Sequence, residues 1–256
     1  MLDNIFRYLL SPHRYNSVEF FQPVFSVNHQ TILVLDFGSQ YTQLIARRLR
    51  ELSVYSEIWP PATSAETIRA RRPVGIILSG GPKSVSDQNA PKCDPAVFGI
   101  GTPVLGICYG MQLMAHSLGG RVAPAPHREF GHAIVSLTGQ GAAVALFVDV
   151  PPEIRVWASH GDFVAAAPDG FSVVATSANA PIAAMSDPNR ALYAILFHPE
   201  VVHTEWGLEI LRNFAYRVCG CEGDWTMTSF VEEATAKIRA QAGSGRVVCA
   251  LSGGID

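Results

Sequence analysis

Between Thr31 and Leu118 the chain alternates short, wholly apolar runs with stretches of helical period. Thr31 to Leu35 carries almost no polar side chain on either face, so it reads as a strand covered on both sides. Gln40 to Leu52 instead spaces Leu44, Ile45, Leu49 and Leu52 along one helical stripe. Val74 to Leu78 and Val104 to Ile107 repeat the strand pattern, and the latter runs through a short turn into a helical stretch, Met111 to Leu118. Strands apolar on both faces and separated by helices predict an α/β fold, a mostly parallel, mixed central sheet with helices on both faces. Such sheets place their sites beyond the carboxyl ends of the strands, so the Gly-containing turns after Leu78 and Ile107 share one edge.

The pattern changes from about Ala133 to Phe197, where shorter apolar segments are punctuated by Gly, Pro, Asn and Asp. These predict further strands, some antiparallel, with functional loops between them. After Cys221, Ser229 and Glu232 have capping-box spacing, so a helix is expected to begin near Ser229, followed by a strand from Arg246 to Leu251. Residues 1–30 mix Phe6, Tyr8, Phe20, Phe21 and Phe25 with Pro12 and Pro23 without a steady period, and read as an extension of unassigned role. The expected division is therefore an extension over 1–30, an α/β domain over 31–222, and a linker helix with the truncated start of another domain over 223–256. That last expectation rests on the helix that should cover the final strand and its Gly253-Gly254 turn.

Composition narrows the function classes. The 256 residues are 48% hydrophobic and can bury a substantial core. Only 16% are charged and the formal net charge is -3, so no strong field gathers nucleic acid or an anionic membrane surface, and small-molecule substrates are expected. No apolar run approaches the roughly 18 residues that span a bilayer, and Met1 to Leu10 carries Asp3 and Arg7, unlike an export leader. Cys93, Cys108, Cys219, Cys221 and Cys249 are odd in number and unevenly spaced, which suits a reducing, cytoplasmic compartment better than a disulfide framework. Cys219 and Cys221 lack the second pair that a structural metal site needs; they read as helix-end cysteines, and no metal is expected.

The chemistry centres on Gly106-Ile107-Cys108-Tyr109-Gly110, a nucleophile elbow with cysteine in place of serine. The sharp strand-to-helix turn needs small residues two positions either side of the nucleophile, and Gly106 and Gly110 supply them. The helix that follows directs unpaired N–H groups at the sulfur, favouring a thiolate and a developing oxyanion alike. The competing reading, a core cysteine between two accidental glycines, is weighed by whether a base exists. Phe197-His198-Pro199-Glu200 follows the apolar run Ala194 to Phe197 and so also ends a strand. His198 can take the thiol proton, and Glu200, on the same side of an extended segment, can orient the ring. Seven other histidines, among them His127, His132, His160 and His203, lack that company. Ser79-Gly80-Gly81-Pro82 adds a bare turn at the neighbouring strand's end.

Together these segments resemble the class I, triad-type glutamine amidotransferases. Within that superfamily Leu35 to Gln43, Ser79 to Pro82, Arg128-Glu129-Phe130-Gly131, Ser159-His160-Gly161-Asp162 and His198 to Val201 resemble the GMP synthetases, and the likeness runs from about Thr31 to the end. The terminal Ser252-Gly253-Gly254-Ile255-Asp256 is similar to the phosphate-wrapping loop of ATP pyrophosphatase domains, so Ser252, Gly253, Gly254 and Asp256 would form part of an ATP loop. The resemblance implies that Cys108 attacks the side-chain amide of glutamine, with His198 as proton carrier and Glu200 as its orienter. It implies an oxyanion hole from the N–H groups of Gly81 and Tyr109, and a grip on the amino-acid end by Gln112, Ser159, Gly161 and Asp162, the last three in a loop. No cofactor is implied for glutamine hydrolysis. In the complete family enzyme, ATP and Mg²⁺ activate XMP and the released ammonia displaces AMP to give GMP. The synthetase half that binds XMP and ATP, and the contacts of a homodimer, would fall mainly beyond this chain, and the glutaminase is normally quiet until that half binds its substrates. Three alternatives stay open: the glutaminase of another synthesis such as anthranilate or carbamoyl phosphate, a cysteine hydrolase of the same fold, and an inactive module.

Overall fold

The computed structural model describes residues 29–141, 144–245 and 247. The expected strand Arg246 to Leu251, the turn carrying Ser252, Gly253, Gly254 and Asp256, and the extension up to residue 28 lie outside the described residues. Among those described, nine strands form one sheet in the order β2-β1-β3-β4-β9-β8-β7-β5-β6. Its parallel half comprises β1 (Thr31–Leu35), β2 (Tyr55–Trp59), β3 (Gly75–Leu78), β4 (Val104–Ile107) and β9 (Leu192–Ile195). β8 (Ala184–Asp187) pairs antiparallel with β9, and β7 (Ser172–Ser177), β5 (Arg121–Leu137) and β6 (Glu153–Ala166) continue antiparallel from it.

The both-face apolar runs behave as expected: every residue of β1, β3, β4 and β9 is buried. Alternate side chains feed two cores, Ile32, Val34, Ile77, Leu105 and Ile107 on one face and Leu33, Leu35, Ile76, Leu78 and Val104 on the other. Helix α1 (Thr42–Glu51) covers the first face through Ile45 and Leu49, while α2 (Ala65–Arg71) and α3 (Tyr109–Ser117) cover the second through Ile68, Met111 and Met114. Each such side chain contributes about 1.5–3 kcal/mol on burial. Leu44 is only half-buried, at the rim of the α1 stripe. No described helix is long and apolar enough to cross a membrane.

Three expectations need correction. The region after α3 holds two long strands, β5 of 17 residues and β6 of 14, and the first of them begins well before Ala133. Ser159-His160-Gly161-Asp162 is part of β6 and not a loop. The polar letters that suggest loops are instead paired across the hairpin, which runs from Arg121↔Ala166 to Ser136↔Glu153. A bulge interrupts it between Pro124↔Asp162 and Glu129↔His160, so that Ala125 to Arg128 stand opposite Gly161 alone. Finally, α4 (Met227–Ala242) is capped one turn earlier than Ser229: Thr226 Oγ1 accepts from the Ser229 N–H at 3.1 Å and Ser229 Oγ accepts from the Thr226 N–H at 3.1 Å. A serine hydroxyl here completes the reciprocal box in the place usual for a glutamate.

Candidate active site

Cys108 joins β4 to α3 with φ 51° and ψ −104°, a conformation that costs a non-glycine residue about 1–3 kcal/mol. The turn is held on all sides: the Cys108 N–H donates to Ile195 O at 2.8 Å, Gly110 N–H to Ser79 O at 3.1 Å, and Gln112 N–H to Cys108 O at 3.1 Å. Both elbow glycines are required by space. A Cβ on Gly106 would lie 2.7 Å from the Gly110 carbonyl, and one on Gly110 would lie 2.4 Å from Leu78 O. The small residues expected around the nucleophile thus have a steric cause at each position. Burial pushes the thiols of Cys93 and Cys221 up to about 11.

His198 follows β9 and is buried. Its Nδ1 lies 2.8 Å from Oε1 of Glu200, which is wholly buried, leaving Nε2 for the sulfur. Burial is the largest single influence on the ring and disfavours its charge, but hydrogen bonding and charge from Cys108 and Glu200 outweigh it and raise the pKa to about 10. The His198 ring thus lies between Cys108 and Glu200 and holds its proton well above the usual imidazole range. Arg48 Nε donates to the Glu200 carbonyl at 3.0 Å, tying this turn to α1. Tyr41 packs edge-on against the imidazole with ring centroids 5.1 Å apart.

The outer edge of β6 lines up the reacting groups. Alternate carbonyls along it accept from Glu205 N–H (Arg155 O, 2.9 Å), His198 N–H (Trp157 O, 3.0 Å) and the Cys108 thiol (Ser159 O, 3.6 Å). One strand edge, with its period of two, therefore registers Cys108 and His198 against each other.

A cleft of about 560 Å³ opens over the sulfur, lined by Gly81, Cys108, Gln112, Ser159, Gly161, Asp162 and His198 among others. The cleft thus gathers Gln112 and the three β6 residues with Cys108, His198 and Gly81. Gln112 Nε2 donates to Asp162 O at 3.0 Å, and the Gln112 side-chain oxygen has no hydrogen bond among the described residues. Among the described residues, neither the Gly81 N–H nor the Tyr109 N–H has an acceptor, as an oxyanion hole requires. Gly81 itself is fixed by space, since a Cβ there would meet Phe37 O at 2.7 Å.

Other cleft residues, Ser39, Tyr41, Lys83 and Arg128, carry no local signal of their role. Nor does the pairing of His160 with Glu129, whose Nε2 and Oε2 lie 3.1 Å apart. Burial, the dominant influence, lowers the pKa of His160 despite that carboxylate. The spacing of Glu129 and His160 in sequence says nothing of their pairing, which the β5–β6 register creates.

The sequence profile of the family described as glutamine amidotransferase class-I matches residues 33–218. GMP synthase [glutamine-hydrolyzing] from Syntrophomonas wolfei is 53% identical over 230 residues, 90% of this chain and 44% of the relative. The protein of the same name from Geobacillus kaustophilus is 55% identical over equal shares. The chain thus spans about 44% of the length of these curated relatives. Among solved structures, a putative GMP synthase subunit from Thermoplasma acidophilum superimposes with a TM-score of 0.63 at 32% identity, covering 81% of this chain and 98% of that one. A glutamine amidotransferase from Thermotoga maritima, at 19% identity and a TM-score of 0.55 over 83% of this chain and 85% of its own, shares the fold.

Proposed function

The chain belongs to the class I glutamine amidotransferase family, and on that footing we propose that it hydrolyses glutamine to supply ammonia for the amination of XMP to GMP. The observation that carries the glutaminase reading is Cys108 held at φ 51° on its elbow beside the buried His198–Glu200 pair. The acceptor rests on the names of the relatives and on the motif resemblance.

In this reading the Cys108 thiolate attacks the side-chain amide carbon of glutamine. The carbonyl oxygen becomes an oxyanion facing the N–H groups of Gly81 and Tyr109. His198, charged at neutral pH, gives its proton to the departing nitrogen, and ammonia leaves from a glutamyl thioester. The neutral ring then takes a proton from water, whose hydroxide attacks the thioester carbon; glutamate departs and the thiolate–imidazolium pair returns. Glu200 holds Nδ1–H throughout, so that Nε2 always faces sulfur and substrate. Gln112, Ser159, Gly161 and Asp162 hold the amino-acid end. Every group this hydrolysis uses is a protein side chain or N–H, so the glutaminase step asks for no cofactor. ATP and Mg²⁺ belong to the activation of XMP; Ser252, Gly253, Gly254 and Asp256, assigned to an ATP loop, lie outside the described residues. Cytoplasmic residence accords with the free thiols of Cys93, Cys108, Cys219 and Cys221.

The test is glutamate release from glutamine, together with covalent labelling by an electrophilic glutamine analogue, in the wild type and in Cys108→Ala. Labelling confined to Cys108 and lost in the variant supports the reading. Hydrolysis of general peptides without glutamine turnover would replace it with a cysteine peptidase.

A further inference from the structure

Thr204 is buried and lies in the turn after the catalytic histidine, its N–H donating to Val201 O at 3.2 Å. His198 lies beyond the end of β9 and meets the β6 edge through one direct bond, from the His198 N–H to Trp157 O at 3.0 Å. A second contact is relayed: the Trp157 N–H donates to Thr204 Oγ1 at 2.9 Å, and that hydroxyl donates onward to His198 O at 2.5 Å. A side-chain hydroxyl therefore stands between the His198 carbonyl and the β6 edge while the groups on both sides stay paired.

The neighbours of Thr204 fix it in place. Glu205 N–H donates to Arg155 O at 2.9 Å and the Glu205 carboxylate bonds the Arg155 side chain at 3.0 Å. On the other side His203 packs on Trp157 with ring centroids 4.8 Å apart, and His132 closes on both. The hydroxyl is thus held from three directions against the carbonyl of the catalytic base.

We propose that Thr204 is a positioning residue for His198, its hydroxyl setting the backbone from which the imidazole reaches Cys108 on one side and Glu200 on the other. This rests on the Cys–His–Glu reading above. Without the hydroxyl, the Trp157 N–H and His198 carbonyl either stay unpaired or close into a direct bond, and both outcomes move the ring relative to the sulfur.

The test is the pH profile of iodoacetamide alkylation at Cys108, read by mass spectrometry of its own peptide, in wild type, Thr204→Val and Thr204→Ser. The groups facing His198, namely Cys108, Glu200, His160 and Tyr41, are unchanged in all three. Thr204→Val keeps the shape without the hydroxyl and is expected to shift the acid limb upward by about one pH unit, a tenfold slower reaction near neutrality. Thr204→Ser is expected to retain the wild-type profile. Labelling by the glutamine analogue should slow in Thr204→Val with unchanged half-saturation, since the cleft walls are intact. Should Thr204→Val fail to fold, Thr204→Ala carries the same comparison. A Thr204→Val profile superimposable on wild type, or a Thr204→Ser profile matching Thr204→Val, overturns the proposal while selective labelling of the wild type leaves the triad standing. An ordinary-thiol profile in the wild type overturns both.

Discussion

His198 Nδ1 and Glu200 Oε1 are 2.8 Å apart and both residues are buried, while the second carboxylate oxygen of Glu200 has no hydrogen bond among the described residues. The carboxylate thus directs its orienting power at one ring. Glu200→Gln keeps the shape but offers the ring a neutral amide that can present its donor instead, so the imidazole loses both charge stabilisation and its fixed tautomer. Analogue labelling of Cys108 is expected to fall by about 10²–10⁴-fold. A labelling rate within a few-fold of wild type would sink this assignment.

The raised pKa of His198 makes a stability prediction. Its value in the fold, about 10, exceeds the unfolded value near 6.5, so the folded state binds the proton more tightly. The contribution is fully present below about pH 6.5, declines as pH rises, and is gone once pH passes about 10. Urea unfolding at pH 7 and pH 10 should show a larger alkaline loss for wild type than for His198→Asn. Equal losses in the two proteins would contradict the ion pair.

His160 predicts the opposite limb. Burial lowers its pKa in the fold, so below the ordinary value near 6.5 the unfolded chain takes up a proton that the folded chain resists. Stability is expected to drop as pH falls from about 7.5 to 5.5, and His160→Gln should flatten that acid limb. Parallel melting curves for the two proteins across this range would show that His160 is not its source.

Gly110→Ala tests the elbow by space alone. The new Cβ would press on Leu78 O at 2.4 Å, a backbone atom of β3 that cannot turn aside. A loss of about 3 kcal/mol or more is expected, together with loss of analogue labelling. Gly99→Ala, where a Cβ meets nothing within 4 Å, is the control and should be near neutral. A Gly110→Ala protein that melts and labels like wild type would contradict the close approach of α3 to β3.

Much of this is legible in the chain because the signals act over a few residues. Leu33, Ile76 and Leu105 announce covered strands through unbroken apolar runs, and Gly106 and Gly110 mark a turn too tight for side chains. Cys108, His198 and Glu200 are nominated as candidates by their places at strand ends. The β5–β6 hairpin is not legible, because its alternating polar residues, prolines and the bulge opposite Gly161 imitate loops when each strand is viewed without its partner. The capping box at Thr226 hides for a smaller reason: its partner is the Ser229 hydroxyl.

Residue types acting locally are enough to set the α/β order and the elbow at Cys108, and to nominate His198 and Glu200 as its companions. How that base is presented is settled only by folding at long range. Thr204 meets Trp157 from 47 positions away, and Ser159 meets Cys108 from 51. In each contact one partner is a backbone group that almost every residue carries, the Trp157 N–H or the Ser159 carbonyl, so no letter marks where the hydroxyl or thiol will meet it; the contacts exist only once β6 has been folded against the end of β9.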